Sequence, residues 1–171
     1  MIKVYIWYYV GKGQAWGHAS MEVNQRYISW WPQGDRRLPY KGTALPSKVI
    51  SSLGNLYSVL PIGNRTFYDD LSDEKGQPNS IITIEGLNKN YIIFWWNHFA
   101  LSYGGTNEQG PIQNTWSTLD LNCSSVVALG LKEGGGDNYS SYWKYHNYIW
   151  RPNDVKNFAE SIVQGLKNKS L

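Results

Sequence analysis

The chain opens on an apolar, β-branched and aromatic run, residues 2–10, that predicts a buried strand, turned by Gly11-Lys12-Gly13-Gln14. Two shorter runs, residues 18–23 and 27–31, flank Asn24-Gln25-Arg26 and predict a hairpin. Pro32 ends its second arm, because proline cannot donate to a ladder. Residues 33–48 are polar and turn-rich, and a short helix is predicted over 47–56. Residues 61–79 combine glycine and proline with Asp69, Asp70, Asp73 and Glu74, a pattern that predicts a solvated loop. A strand over 80–85 follows. Asn88 then caps a helix reaching Leu101, with Ile92, Trp95, Trp96 and Phe99 on one side, although the apolar density over 91–96 would also suit a strand. Gly104-Gly105 ends this element. Asn122 caps a further helix carrying Val126, Val127, Leu129 and Leu131 and stopped by Gly134-Gly135-Gly136. Pro152 leads into an amphipathic helix through Val155, Phe158, Ala159, Ile162, Val163 and Leu166. No internal repeat or linker interrupts the pattern, so residues 1–171 read as one α+β domain.

Composition narrows the function. A net charge of +3 without an arginine cluster or zinc-knuckle spacing gives no reason to expect nucleic acid as a partner. One cysteine excludes an internal disulfide or a multi-cysteine metal site. The four carboxylates of 69–74 lack the alternating ligand spacing of a calcium loop, so neither metal nor cofactor is expected. The first apolar run is far below the ~20 residues that span a bilayer and lacks a cleavage site, so no signal peptide or transmembrane helix is expected. Nine Trp and thirteen Tyr exceed what a core alone needs and raise the prospect of a membrane, lipid or protein interface.

Candidate chemistry centres on Cys123, one residue inside a helix start. Unpaired backbone N–H groups and the positive end of the helix dipole there favour thiolate and can face a developing oxyanion. Asn122, Ser124 and Ser125 make this start polar, against the apolar neighbours of a packed cysteine, and these residues alone leave both a catalytic and a merely packed Cys123 open. Of three histidines, His18 opens a strand behind Gly17 and is the preferred base; His146 lies in an aromatic, exposed-looking segment and His98 within an aromatic helix. For the residue that orients the imidazole, hairpin geometry sets His18 opposite Trp31 or Pro32, with Asp35 emerging just beyond. Ser29 and Glu22 are the alternatives, Glu22 being roughly 13 Å along the same strand. Asp35 is the preferred third residue.

Trp16-Gly17-His18-Ala19-Ser20, Tyr27-Ile28-Ser29-Trp30-Trp31-Pro32, Asn122-Cys123-Ser124-Ser125-Val126-Val127 with Gly134-Gly135, and Trp150-Arg151-Pro152-Asn153-Asp154-Val155 together resemble the circularly permuted branch of the NlpC/P60 papain-like superfamily. Small bacterial effector and toxin domains, including the fatty-acyltransferase domain of Rho-inactivating toxins, are especially similar. The resemblance implies a permuted papain-like fold, an antiparallel sheet packed against the nucleophile-bearing helix, with Cys123 as nucleophile and His18 as base. It implies thiol-mediated acyl transfer on a lipid or membrane-surface substrate, by a secreted or delivered effector with a cognate immunity protein. A peptidoglycan peptidase or amidase, a protein deamidase and an inactive partner-binding module are the alternatives. The stretch from residue 33 to 79 resembles nothing in that family and is expected to help set substrate choice.

Overall fold

The computed structural model describes residues 1–8, 17–32, 58–59, 61–113, 116–117 and 121–169. The chain forms an α+β fold whose centre is a four-stranded antiparallel sheet, order β3-β2-β1-β7, built from β1 (Ile2–Trp7), β2 (His18–Val23), β3 (Arg26–Ile28) and β7 (Ser80–Ile84). The hairpin between β2 and β3 closes with Val23 opposite Arg26, and the two turn residues Asn24 and Gln25 both take positive φ, 50° and 68°. That backbone twist matches the twist of the paired strands. The ladder stops at Ile28. The chain then runs into β4 (Trp30–Pro32), which pairs with β6 (Pro61–Asn64) in a separate two-stranded sheet. Two further short strands, β5 (Ser58–Val59) and β8 (Trp116–Ser117), pair with each other. The turn at 11–14, the helix over 47–56 and Asp35 lie outside the described residues.

Alternation along the strands gives the central sheet two unlike faces. One carries Ile2, Val4, Ile6, Ala19, Met21, Val23, Ile28, Ile82 and Ile84, all buried against helices. Those helices are α2 (Lys89–Ser102), α3 (Cys123–Glu133) and α5 (Pro152–Lys169), which contribute Ile92, Trp96, Val126, Val127, Leu131, Val155, Phe158, Ala159 and Ile162. Asn88 caps α2 as expected, its side chain accepting from the N–H groups of Asn90 and Tyr91, and settles the helix-or-strand ambiguity of that run. Gly130 lets α3 lie close on β2, since a Cβ there would meet the Met21 Cε and push that side chain aside. The other face carries Tyr5, Trp7, His18, Ser20, Glu22 and Tyr27 and meets α1 (Phe67–Asp73).

The presence of α1 corrects the expectation of a solvated loop over residues 61–79. Thr66 and Asp69 form a reciprocal capping box, Thr66 Oγ1 accepting from the Asp69 N–H and Asp69 from the Thr66 N–H, and this starts a helix inside the acidic stretch. Phe67 packs on Tyr5, Trp7 and Tyr27, with ring centroids 5.1, 6.3 and 5.7 Å apart. Three residues later, Asp70 is completely buried at the sheet. Among the described residues, no helix is long and apolar enough to cross a membrane.

Candidate active site

Two elements bring the chemistry together: β2 starts with His18, and α3 starts with Cys123 and lies across β2. Asn122 holds the start of α3. Its side chain accepts from the Ser125 N–H at 3.0 Å, Ser125 Oγ accepts from the Asn122 N–H at 2.7 Å, and Asn122 Nδ2 donates to the Trp150 carbonyl at 3.2 Å. Two of the polar residues that marked this helix start, Asn122 and Ser125, are therefore its cap. Cys123 is half-buried and a free thiol, with Sγ 4.0 Å from Ser124 Oγ.

His18 is fully buried, and its ring stacks on Trp31 with centroids 4.1 Å apart and planes 17° from parallel. Trp7 flanks it at 5.7 Å. Nε2 of His18 lies 2.8 Å from Ser29 Oγ and 3.2 Å from Asp70 Oδ2. The Ser29 hydroxyl itself donates to Asp70 Oδ1 at 2.8 Å, so it accepts from the ring and Nε2 carries a proton. Nδ1 is buried and makes no hydrogen bond of full geometry.

Asp70 is the acceptor on which this side of the site converges. Besides His18 and Ser29, it receives the Tyr27 hydroxyl on Oδ2 at 2.6 Å and the Trp31 indole N–H on Oδ1 at 2.6 Å. Tyr27, Ser29 and Trp31 are alternate residues of one extended segment, so all three donors project to one side and meet one carboxylate. Asn64 locks that segment in place. Its Oδ1 accepts from the Ser29 N–H and its Nδ2 donates to the Tyr27 carbonyl, each at 2.7 Å. A buried carboxylate keeps its charge only when such donors replace water.

The electrostatics follow from these contacts. Burial opposes charge on Asp70, but His18 and the hydrogen bonds from Tyr27 and Ser29 hold its pKa well below the usual carboxylate value. Burial also opposes a charged His18, yet the Asp70 carboxylate and the Cys123 sulfur raise it above the ordinary 6.5. The Cys123 thiol is pushed up by burial and brought down further by the charge of His18, by hydrogen bonding to that ring and by the Ala19 N–H, so it ends below the ordinary 9.0.

The structure therefore joins His18 and Ser29 directly, while His18 Nδ1 makes no hydrogen bond of full geometry to Cys123. Glu22 is occupied elsewhere, accepting from the Tyr5 hydroxyl at 2.8 Å and Lys3 at 3.4 Å. His98 is exposed on α2, 3.4 Å from Ser102, and His146 is exposed and stacked on Tyr142 at 3.8 Å. Asp70 is the group the sequence reading missed. Thr66-x-x-Asp69 was the available signal for a helix there, and three alternate donor residues on one extended segment were the signal for a buried acceptor. Among the described residues, no three His, Cys, Asp or Glu side chains form a metal-ligating cluster. An open cleft of about 390 Å³ between the β2–β3 turn and α2, lined by Arg26, Asn97 and neighbours, shares no residue with this site.

Neither the curated proteins nor the solved structures contain a match to this chain. Residues 64–170 match the family model described as the IcsB middle domain, a region that includes Asp70 and Cys123 but begins after His18 and Ser29. With well over half its length in that match, the chain belongs to the IcsB middle-domain family, an effector-type domain on an α+β scaffold.

Proposed function

We propose that the protein is a thiol-dependent acyl-transfer enzyme in which Cys123 is the nucleophile, His18 the general base and Asp70 the group that orients and charges the imidazole. The observation that carries this reading is the fully buried His18 ring at the start of β2, held through Nε2 by Asp70 and Ser29 where the Cys123 helix crosses that strand, an arrangement whose charge favours the Cys123 thiolate. Because Nε2 is committed to Ser29 and Asp70, Nδ1 is the base nitrogen. Attack proceeds from the thiolate, whose proton the ring holds. The sulfur bonds to the carbonyl carbon of an acyl ester, the N–H groups of Cys123 and Ser124 at the helix start stabilise the oxyanion, and the C–O bond breaks as His18 gives the departing alcohol its proton. In the second half, His18 takes a proton from water or another acceptor. That nucleophile then displaces the thioester and regenerates the thiolate.

The donor is a fatty acyl ester of a lipid, a choice supported by the resemblance to fatty-acyltransferase domains and by the exposed aromatic residues. In chain order, the histidine strand precedes the cysteine helix, the reverse of papain-like enzymes, and the proposed fold is accordingly the permuted one. Mass spectrometry of phospholipid and peptidoglycan substrates after incubation with wild type and Cys123→Ala tests the reading. Cysteine-dependent release or transfer of fatty acid is expected; cysteine-dependent peptide cleavage with intact lipids would reject the lipid donor, and no cysteine-dependent change in either would reject the enzyme.

A further inference from the structure

Residues 138–151 contain six aromatic side chains, the cations Lys144 and Arg151 and no acidic residue; Asp137 and Asp154 stand just outside. The short helix α4 (Tyr142–Tyr145) and the turn after it divide these residues into two sets. Tyr145 and Trp150 point inward onto Phe158 of α5, with centroids 6.3 and 5.7 Å away, and Lys132 lies over both rings. Tyr142, Trp143, Tyr148 and Ile149 point outward, with relative exposures of 55%, 82%, 103% and 37%. The inner set anchors the segment, while the outer set leaves the adjoining Tyr142 and Trp143 rings, 5.4 Å apart, and the side chains of Tyr148 and Ile149 in water. Such a patch on a folded chain marks a docking surface.

We propose that this platform seats the molecule on an anionic lipid surface beside the Cys123 site. The inference rests on the reading of Cys123 as an enzyme of lipid acyl groups and names the surface that presents them. Tryptophan and tyrosine are the side chains that settle at the headgroup level of a bilayer, where one edge of the ring is apolar and the other wet. Lys144 and Arg151 are the charged side chains of the segment, and both complement lipid phosphates. A protein partner would exploit the same rings, but the all-cationic charge favours the anionic surface. The platform is also tied to the chemistry. The carbonyl of Trp150, next to Ile149, accepts from Asn122, the residue that caps the Cys123 helix. A surface engaged by Tyr148 and Ile149 is therefore only a few residues from the nucleophile.

Cosedimentation of the full chain carrying Cys123→Ala with vesicles of phosphatidylcholine, alone or with phosphatidylserine as the minor lipid, tests this without turnover. Binding to the phosphatidylserine vesicles is expected. It should weaken by at least about tenfold in Trp143→Ser/Tyr148→Ser and by about tenfold in Lys144→Gln/Arg151→Gln, with unchanged circular dichroism. Failure of the parent to bind either vesicle, or equal binding by the aromatic variant, overturns the proposal. The aromatic pair in the Cys123-containing enzyme separates docking from chemistry: it should turn over a soluble short-chain ester like wild type while losing at least about tenfold on vesicle lipid. Equal loss on both substrates would overturn the docking role. Vesicle binding without cysteine-dependent turnover of either substrate would leave docking standing and refute the proposed chemistry.

Discussion

Asp70→Asn is the substitution with the clearest chemical consequence. The carboxylate meets two donors on each oxygen: Ser29 and Trp31 on Oδ1, and Tyr27 and His18 on Oδ2. An amide offers one acceptor oxygen and one NH₂ donor. The Trp31 N–H can only donate, so the amide oxygen stays on the Ser29–Trp31 side and the NH₂ turns toward Tyr27 and His18. The tyrosine hydroxyl can rotate away. The imidazole keeps Ser29 Oγ as the acceptor for Nε2–H at 2.8 Å but meets an NH₂ donor where Oδ2 stood at 3.2 Å, so it loses one of its two anchors and its orientation toward the thiol. The imidazolium also loses the carboxylate that sustains it. Losing a positioned base lowers the rate by roughly 10²–10⁴-fold, so kcat should fall about a thousandfold with KM changed little. Breaking a buried charge pair should also destabilise the fold by about 3–5 kcal/mol. Steady-state acyl release, measured where near-ultraviolet circular dichroism shows the variant folded, reads the first effect, and chemical denaturation reads the second. A folded Asp70→Asn variant with kcat within about threefold of wild type would show that Asp70 anchors the structure without serving the chemistry.

Ser29→Ala removes one bridge between His18 and Asp70 while their 3.2 Å contact remains. A loss of about tenfold in kcat and about 1–2 kcal/mol in stability is expected from kinetics and denaturation. A thousandfold loss would instead make the hydroxyl the essential link. Stability should also depend on pH on both sides of neutrality, measured by thermal melting in a Cys123→Ala background. Asp70 titrates below its ordinary 3.8 in the fold, so its contribution is present above 3.8 and is lost as acid protonates it. His18 titrates above its ordinary 6.5, so its contribution is present below 6.5 and is lost as base deprotonates the folded ring. The pair therefore stabilises most between 3.8 and 6.5, and His18→Ala should flatten both limbs.

Much of the fold was legible where local signals and burial agree. The hairpin was legible, but its turn is the two residues Asn24 and Gln25 rather than 24–26, and the resulting register, continued, sets Trp31 opposite His18, on which it stacks even though the ladder ends at Ile28. Asn88 and Asn122 announced their helices because a cap is a local device. The assignment of Cys123 and His18 as nucleophile and base, which the proposed function keeps, came from the polar helix start and the order of the motif blocks. Asp70 was hidden for a physical reason. Four carboxylates within a Gly/Pro-bearing stretch read as solvated, because burying one requires donors that lie far away in sequence. Tyr27, Ser29 and Trp31 supply those donors from about forty residues away. Likewise, the turn of the chain from β3 into β4 depends on pairing with β6 and on Asn64, neither of which the hairpin sequence encodes.

The central claim is that His18 activates Cys123, and the chain's single cysteine allows a direct reading. The rate of Cys123 alkylation against pH, followed by intact mass in wild type and His18→Ala, reports the fraction of thiolate. Wild type should alkylate with a midpoint below the ordinary thiol value of 9.0, and His18→Ala should move that midpoint upward. A midpoint unchanged by the loss of His18 would contradict the account.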